Sequence, residues 1–309
     1  MPYKILVTGG FGFIGCSLVP KLVELGHTIV VLDNLSHSAV REPICDHHYI
    51  IGDIRNENDV TSALDGVDIV IHLAASGSVV PSIEDPVHNF DTNVYGTFIL
   101  LNLCRKHGVS KFILASTGGA LMGNTPPPVS ENSLPAPISP YGSSKLCCEA
   151  YCSSFAHSYD MSIVSLRFAN VIGPFSYHKK GAVTAFFKSI LYDKPMNIYG
   201  NGDASRDFLY VSDLCDGIVS SINKHLPGFN IFHLSSGVES TILSLANMVM
   251  KVSNKLSHPI IFHDSRTGEV DNNFAFNSKA KDVLSFEPSI SFEHSIYLSW
   301  QWFKTYNEK

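Results

Sequence analysis

The sequence lacks the features of a secreted, membrane-spanning or metal-stapled protein. Its seven cysteines are odd in number and irregularly spaced, which predicts neither a disulfide framework nor a zinc site. No apolar run approaches the ~20 residues that a membrane-spanning helix needs, and no signal-peptide pattern precedes the first strand pattern. We therefore expect a soluble, cytoplasmic protein of a reducing compartment, without a metal site.

Positive charge is also scarce. The formal net charge is −6 at pH 7 over 309 residues, so no long-range attraction draws the chain to nucleic acid or to an anionic membrane. A phosphate-bearing ligand must then be held by local groups such as backbone amides, helix N-termini and single arginines. The sequence therefore favours a small-molecule partner, with no nucleic acid and no membrane.

Short apolar runs alternate with longer amphipathic stretches, a pattern typical of βαβ units around a parallel sheet. The predicted strands cover residues 4–8, 28–33, 48–51, 68–73, 111–115, 162–167 and 230–234. The predicted helices between them cover residues 13–26, 57–65, 88–108 and 141–159. After residue 170 the rhythm changes, with helices at 182–193, 212–224 and 241–254, strands at 196–199, 206–211 and 259–263, and a last helix.

These patterns predict an α/β fold with a Rossmann-type, doubly wound parallel sheet and a smaller substrate-binding α/β lobe. We assign residues 1–170 and 207–240 to the nucleotide-binding domain, and residues 171–206 and 241–309 to the lobe. The proline-rich segment 125–140 is interpreted as an active-site loop. Ligands of such sheets bind beyond the carboxyl ends of the strands.

A glycine-rich turn follows the first predicted strand. Gly9, Gly12 and Gly15 form a GxxGxxG pattern between a strand and a helix, where backbone must turn tightly and approach a pyrophosphate. Asp33 ends the second strand, and its carboxylate suits an adenosine ribose while repelling a 2′-phosphate. The alternatives are a turn without a ligand, which the context disfavours, and an aspartate that merely stops a strand. Because no arginine neighbours Asp33 and Asn34, we expect NAD and not NADP.

Analogy with other folds of this class extends the cofactor site to two more strand ends. Asp53 and Ile54 follow the third predicted strand and are expected to meet the adenine. Ala74, Ala75 and Ser76 follow the fourth, where they would line the middle of the cofactor.

A tyrosine and a lysine lie four residues apart on a predicted helix. Ser139 and Pro140 are a helix-start signal, which places Tyr141 and Lys145 on one face, one turn apart. A phenol with a pKa of about 10 is a poor base at neutral pH, but a neighbouring ammonium and a positive nicotinamide ring would lower that pKa. The usual interpretation of YxxxK alone is a solvated helix face. Its place after a dinucleotide motif and after a strand ending in Ser116–Thr117, whose hydroxyls could bond a reacting alcohol, favours catalysis.

Essentially the whole chain resembles the extended short-chain dehydrogenases/reductases. Within them it is similar to the NAD-dependent nucleotide-sugar epimerase/dehydratase family, and above all to enzymes of the UDP-glucose 4-epimerase type. The motifs that carry this resemblance are TGGFGFIG (8–15), LDNLS (32–36), GDIRN (52–56), HLAA (72–75), NVYGT (93–97), STGGALMG (116–123), PYGSSK (140–145), LRFANVIGP (166–174), IYGNGDASRDFLYVSDL (198–214) and RTGEV (266–270). The resemblance implies an isomerase of carbohydrate metabolism that binds NAD and a UDP-linked sugar. It also implies a homodimer through the 88–108 and 141–159 helices, whose apolar residues include Phe98, Leu101, Tyr151 and Phe155.

The resemblance assigns catalytic and cofactor roles to individual residues. Thr117 and Tyr141 would contact the sugar 4-hydroxyl, with Lys145 assisting. Asn93 would join Lys145 in placing the nicotinamide ribose. The remaining cofactor contacts that it implies are Phe13, Ile14, Leu73 and Phe168.

It assigns substrate roles as well. Asn170, Arg206 and Arg266 would bind the diphosphate of the nucleotide sugar, an anion that suits the donor fork of a guanidinium. Tyr199 would stack against the uracil, and the medium-sized Asn273 would leave room for an N-acetyl group at C2.

The residues after Thr117 separate the reactions of the family. Its dehydratases carry an Asp–Glu pair there and its sugar-acid decarboxylases an acidic residue, whereas this chain has Gly118 and Gly119. The reaction that remains is 4-epimerisation, in which C4 is oxidised, the 4-keto sugar rotates and the hydride returns to its other face. The alternatives are a nucleotide-sugar oxidoreductase, a 4-keto-sugar reductase and a non-catalytic NAD-binding protein. Met122 stands where many relatives have tyrosine, so we expect different sugar contacts near it.

Overall fold

The computed structural model describes residues 2–266 and 270–307. Numbered along the chain, its strands are β1 (Lys4–Thr8), β2 (Thr28–Asp33), β3 (His48–Ile51), β4 (Ile69–His72), β5 (Lys111–Thr117), β6 (Ser162–Phe168), β7 (Asn170–Ile172), β8 (Met196–Tyr199), β9 (Ser205–Tyr210), β10 (Phe229–Leu234), β11 (Glu239–Thr241), β12 (Ile260–His263) and β13 (Asn272–Asn273). Its helices are α1 (Phe13–Glu24), α2 (Glu57–Ala63), α3 (Val79–Glu84), α4 (Pro86–Phe90), α5 (Gly96–Lys106), α6 (Gly119–Met122), α7 (Pro140–Tyr159), α8 (Ala182–Leu191), α9 (Val211–Asn223), α10 (Ile242–Ser253), α11 (Ser278–Leu284) and α12 (Phe292–Asn307).

Seven strands form a central sheet in the order β10–β6–β5–β4–β1–β2–β3, and every neighbouring pair is parallel. Along β1, Ile5 and Val7 pack in the apolar cluster that contains α1 and α9, while Leu6 packs in the cluster with α2, α5 and α7. Burial on both faces explains the continuous apolar runs of these strands. The predicted α/β class and doubly wound sheet are confirmed, and the strand order reverses between β1 and β4, where such sheets bind ligands.

The remaining strands surround a separate apolar cluster. β7, β9, β11 and β13 form a small sheet, and β8 pairs with β12. Helices α8, α10 and α12 close over this cluster with large side chains that include Phe187, Trp300 and Phe303. The predicted boundary at residues 206/207 falls inside β9, and Leu284 of α11 packs beside the central sheet. The division into a nucleotide-binding domain and a lobe stays a prediction that needs these two adjustments.

The helix predicted over residues 88–108 is divided into α4, a π-helical turn at Asp91–Tyr95, and α5. Pro86 begins α4, and the Asp85 side chain accepts a hydrogen bond from the His88 amide at its start. Within the wide turn, the Asn93 carbonyl accepts hydrogen bonds from the Thr97 hydroxyl and the Cys148 thiol. The predicted helix is therefore present as one run of helical backbone, but apolar spacing does not reveal the π turn inside it, a feature that is frequent at functional sites.

The proline-rich loop before α7 is fastened to the segment that follows β13. The Val129 amide donates to the Phe274 carbonyl at 3.0 Å, and the Phe276 amide donates to the Val129 carbonyl at 2.9 Å. The loop ends at Ser139, whose hydroxyl accepts a hydrogen bond from the Gly142 amide and thereby caps α7. The N-terminus of α7 is thus held at the edge of the central sheet.

The described residues show neither a membrane span nor a metal cluster. No helix in residues 2–266 and 270–307 is long and apolar enough to cross a membrane. The same part of the chain contains no group of three or more His, Cys, Asp or Glu side chains that could hold a metal ion.

Candidate active site

The glycine-rich turn lies between β1 and α1, at the point where the strand order reverses. Gly9 has φ +70°, and a Cβ there would lie 2.8 Å from the Ala74 amide nitrogen, so only glycine fits. A Cβ on Gly15 would clash with Gly10. Within this described segment no side chain caps α1 at Gly12 and no acidic residue lies in its first turn, so the helix dipole is available to an anion. The first turn of α1 also contains the two other predicted contacts, Phe13 and Ile14.

Asp33 braces this turn from the end of β2. Its Oδ2 accepts a hydrogen bond from the Phe11 amide at 3.0 Å, and its Oδ1 accepts one from the Leu35 amide at 2.8 Å. Burial raises the pKa of this carboxyl, and the two amide bonds oppose that rise. A carboxylate can accept about four hydrogen bonds, so the ribose contact predicted for Asp33 is compatible with its hold on the turn.

Asp53 has an environment that differs from the predicted one. Its carboxylate accepts hydrogen bonds from Nε and Nη2 of Arg55, at 2.9 and 2.7 Å, and from Nδ2 of Asn34 at 2.9 Å. The bonds from Arg55 hold the pKa of Asp53 well below its usual range. The Asp53 amide donates to Asp59 Oδ2 and its carbonyl accepts from the Asn56 amide, so the adenine contact of this residue stays a prediction. Ile54 is buried against Gly96.

The loop after β4 is held in place by Asn93. Residues 73–75 of this loop are partly buried. The Asn93 Oδ1 accepts from the Ser76 amide at 2.8 Å, and its Nδ2 donates to the Ser76 carbonyl at 3.2 Å and to the Ser144 hydroxyl at 2.9 Å. The side chain predicted to contact the ribose therefore joins the loop after β4 to α7.

Thr117 and Tyr141 meet at the carboxyl end of β5. Thr117 lies close enough to the Tyr141 hydroxyl to lower the pKa of that phenol, whereas Ser116 donates to the buried Glu149 Oε1 at 2.7 Å. Successive side chains of a strand point to opposite faces, which explains why only one of the two hydroxyls reaches the tyrosine. The structure brings Thr117 to Tyr141 and turns Ser116 toward the interior.

Lys145 lies one turn further along α7 and is almost completely buried. Its Nζ donates to the Ala115 carbonyl at 2.8 Å. Burial lowers the pKa of Lys145 and raises the pKa of Tyr141 to about 12, against the lowering effect of Thr117. Lys145 is not among the groups that shift the Tyr141 pKa in the described chain, so the lowering expected from the ammonium together with the positive nicotinamide ring stays a prediction.

Asn273 reaches the same strand end from β13. Its Nδ2 donates to the Gly118 carbonyl at 3.4 Å, and its Oδ1 would lie 3.3 Å from a Cβ on Gly119. The Gly118 amide donates to the Phe168 carbonyl at 2.9 Å, which fixes the turn after Thr117. Gly119 thus leaves room for the Asn273 side chain, whereas a Cβ on Gly118 would lie 3.3 Å from Nδ1 of His233 and 3.4 Å from the Phe168 carbonyl oxygen.

The other predicted substrate residues lie on the small sheet and the neighbouring strand pair. Arg206 on β9 donates to two main-chain carbonyls, at 2.7 and 3.0 Å, and the exposed Asn170 begins β7, which pairs with β9. The Arg266 guanidinium lies 3.5 Å from the centroid of the Tyr199 ring, a cation–π geometry. A face of the ring that was expected to stack on uracil is thus covered by an arginine. Residues 267–269 of the RTGEV motif lie outside the described residues.

One buried ion pair has no counterpart in the predicted site. Arg167 on β6 donates from Nη2 to Glu149 Oε2 at 2.8 Å and from Nε to Oε1 at 3.0 Å. Ser116 and Ser165 also donate to Oε1, at 2.7 and 2.9 Å. The sequence features that could have predicted this ion pair are a glutamate one turn after Lys145 and a single arginine inside an apolar strand.

Met122 does not contribute a surface to the site. Its side chain is completely buried in a cluster with Leu121, Val129 and Ala275. Its sulfur accepts a hydrogen bond from Arg167 at 3.8 Å. The expectation that the sugar contacts near this position differ from those of relatives with tyrosine stays a prediction.

Comparison with known proteins agrees with this geometry. The chain matches the NAD dependent epimerase/dehydratase family over residues 5–232. It is 33% identical to a putative UDP-glucose 4-epimerase of Methanocaldococcus jannaschii, over 98% of this chain and 99% of that protein. The solved UDP-glucose 4-epimerase of Thermotoga maritima with UDP-glucose has a TM-score of 0.94 at 33% identity, covering 98% of this chain and 99% of that one. The UDP-glucose 4-epimerase of Thermus thermophilus in complex with NAD has a TM-score of 0.92 at 32% identity, covering 97% and 99%. The predicted family and cofactor are confirmed: this chain belongs to the NAD dependent epimerase/dehydratase family and uses NAD.

Proposed function

We propose that this protein is a nucleotide-sugar 4-epimerase, and that its substrate is a UDP-linked hexose or N-acetylhexosamine. The observation that carries the proposal is the position of Thr117, at the carboxyl end of β5, beside the Tyr141 hydroxyl, with Lys145 one turn further along α7. Relatives that match this chain along its whole length are named as UDP-glucose 4-epimerases, which supports both the reaction and the UDP group.

Tyr141, Thr117 and Lys145 have different roles in the reaction at the sugar C4. The Tyr141 oxygen takes the proton of the 4-hydroxyl as the C4 hydride departs, and it returns that proton when the rotated 4-keto sugar is reduced on its other face. The Thr117 hydroxyl orients the reacting oxygen by a hydrogen bond. NAD, when bound, accepts and returns the hydride, so no net oxidation results. Lys145, together with Asn93, positions the nicotinamide ribose.

The absence of an acid–base pair after Thr117 selects epimerisation over dehydration. Removal of water from C5 and C6 needs an acid and a base beside the sugar, and Gly118 and Gly119 supply neither. Asn273 occupies the space that a side chain on Gly119 would need, and His233 and the Phe168 carbonyl limit the space beside Gly118.

The nucleotide is held by residues of the small sheet and the neighbouring strands. Asn170, Arg206 and Arg266 bind the diphosphate, because a guanidinium fork matches phosphate oxygens. Tyr199 offers its ring to the uracil once Arg266 turns from that ring to the diphosphate. Asn273, beside the loop after Thr117, leaves room for an N-acetyl group at C2.

The decisive experiment is incubation of the purified protein with UDP-, GDP- and dTDP-sugars, followed by NMR of the products. We expect the protein to contain bound NAD and to interconvert the C4 epimers of a UDP-sugar with no nucleotide added. Stoichiometric consumption of NADH at 340 nm would instead identify a reductase. If UDP-glucose and UDP-galactose are interconverted while the N-acetylated pair is ignored, the role given to Asn273 is wrong.

We also propose a homodimer formed through α5 and α7. Phe98 and Tyr151 are exposed and pack edge to face at 5.4 Å, and the exposed Tyr95 extends this apolar surface. Leu101 and Phe155, which were also expected to line the interface, are buried within the subunit.

Light scattering after size exclusion is expected to give the mass of two chains. The substitution Phe98→Glu is expected to give monomers, because it places a charge in the apolar surface. Tyr297→Glu, a change of a similarly exposed aromatic residue on α12, serves as the control and leaves the dimer intact. A monomeric wild-type protein would remove this proposal.

A further inference from the structure

The proposed cofactor site contains little positive charge on its side chains. Among its described residues Lys145 is the one cation, and its ammonium is bonded to the Ala115 carbonyl. The phosphates of NAD would then depend on backbone amides and the N-terminus of α1 alone. The loop between β7 and α8 brings a second ammonium to this helix.

Lys179 extends from that loop to the first turn of α1. Its Nζ lies 4.6 Å from the centroid of the Phe13 ring and donates to the Val171 carbonyl at 2.9 Å. Phe13 is the first residue of α1, and Val171 follows Asn170 on β7. The ammonium therefore lies between the glycine-rich turn and the strand that carries a proposed substrate residue. An ammonium has three donors, and the bond to Val171 uses one of them.

The shape of the loop holds Lys179 in this position. The Lys179 amide donates to the Ser176 carbonyl at 3.0 Å, and the buried Ser176 hydroxyl donates to the Gly173 carbonyl at 2.7 Å. Burial lowers the pKa of the Lys179 ammonium to about 8, so it is charged at neutral pH, and a neighbouring anion would favour that charge further. Over the whole residue, Lys179 and its neighbour Lys180 are both exposed, and the contacts of the ammonium with Val171 and Phe13 distinguish Lys179.

We propose that Lys179 is a cofactor-binding residue, whose ammonium donates to the pyrophosphate of NAD at the first turn of α1. The same contact ties the loop at residues 173–181 across the bound dinucleotide. The position beside Phe13 assigns the ammonium to the cofactor and not to the diphosphate of the sugar nucleotide. This inference rests on the proposed function only in that the chain must bind NAD at the glycine-rich turn.

The test is calorimetric titration of the nucleotide-free full chain with NAD, ADP-ribose and adenosine, which lacks phosphate. Lys179→Met keeps the apolar stem and removes the charge, Lys179→Arg keeps the charge, and Lys180→Met is the matched control. We expect Lys179→Met to raise the Kd for NAD and for ADP-ribose about tenfold, through loss of a charge-assisted hydrogen bond. Its Kd for adenosine stays unchanged, Lys179→Arg retains most of the affinity, and Lys180→Met behaves as wild type.

Three results would overturn the inference. The first is that Lys179→Met and Lys180→Met change the Kd for NAD equally. The second is that Lys179→Met weakens the binding of adenosine as much as that of NAD. The third is that Lys179→Met leaves the Kd for NAD unchanged and raises the KM for the nucleotide sugar. A wild-type protein that binds neither NAD nor ADP-ribose would instead remove the proposed function and this inference together. The two failures are therefore distinguishable.

Discussion

For Tyr141, the sequence predicted the position of the side chain but not its pKa. The Ser–Pro helix start and the four-residue spacing predicted one face for Tyr141 and Lys145, and both lie on α7. Burial nevertheless raises the pKa of Tyr141 to about 12. We expect the positive charge of bound NAD to favour the phenolate, which would couple proton transfer at Tyr141 to cofactor binding.

Removal of the Tyr141 hydroxyl tests this role. Tyr141→Phe is expected to lower kcat by roughly 10²- to 10⁴-fold, the usual worth of a positioned proton-transfer group, while bound NAD is retained. Initial rates by NMR and the absorbance of the released nucleotide measure the two effects. Tyr159→Phe removes a hydroxyl from the same helix, at a residue that contacts Phe155 and Arg105 through its ring. It should leave kcat unchanged, and an active Tyr141→Phe protein would contradict the mechanism.

Residues whose role depends on backbone geometry could be predicted, whereas residues whose role depends on distant partners could not. Gly9 and Gly15 follow from a strand, a tight turn and a helix in sequence, because only glycine permits the close approach. The pairing of Asp53 with Arg55, and the use of the Asn93 amide to clamp Ser76, depend on how side chains turn after folding. The local sequence does not indicate which partners these side chains will contact.

At the scale of elements, the Glu149–Arg167 pair connects α7 to the central sheet. Glu149 belongs to α7, Arg167 to β6, and Ser116, which shares the carboxylate, to β5. Both charged side chains are buried. The pair thereby holds α7 against the strand end that carries Thr117.

A mutant cycle measures this connection. Glu149→Gln is expected to lower the free energy of unfolding by about 3–5 kcal/mol, because it leaves the Arg167 charge buried without a carboxylate. Adding Arg167→Met to that change is expected to recover part of the loss. Urea denaturation of the single and double variants gives the values.

The control for the cycle is an exposed pair. Lys251 and Glu293 lie 2.7 Å apart with side chains 60% and 54% exposed, and Glu293→Gln should change the free energy of unfolding by about 0–1 kcal/mol. An additive cycle for Glu149 and Arg167 would show that the buried pair does not couple the two elements.

The strands of the central sheet were easier to predict than the elements of the smaller group. Long parallel strands buried on both faces produce continuous apolar runs that are visible locally. β11 and β13 have three and two residues, and each is defined by pairing with β9 across a long sequence separation. Between the strand predicted at 259–263 and the last helix, where no element was predicted, the chain likewise contains β13 and α11, since such short elements carry no periodicity of their own.

For the molecule as a whole, the buried ends of the central strands make stability depend on pH. His72 ends β4, between the hydroxyls of Thr8 and Thr97, and burial lowers its pKa to about 3. His233 lies in β10, where burial lowers its pKa to about 4. Both values lie below the 6.5 of an unfolded histidine. The stability linked to these neutral rings is fully present above pH 6.5 and is lost as the pH falls toward 4, because only the unfolded chain then binds the protons.

Each histidine is expected to remove about 2 kcal/mol from the free energy of unfolding between pH 6.5 and 5. Asp53, whose pKa is lowered, reduces the free energy of unfolding only as the pH falls below 3.8, the ordinary pKa of the carboxyl. Asp33, whose pKa is raised, has the opposite effect to the histidines, because its contribution to stability increases as the pH falls. The comparison must therefore be made between variants. Urea denaturation from pH 5 to 7.5 should give a smaller slope than wild type for His72→Gln and for His233→Gln, while His27 and His47, whose pKa values burial also lowers, keep part of the slope in every variant. His294→Gln, at an exposed position, should keep the full slope, and equal slopes in all four proteins would show that neither buried ring stays neutral in the folded chain.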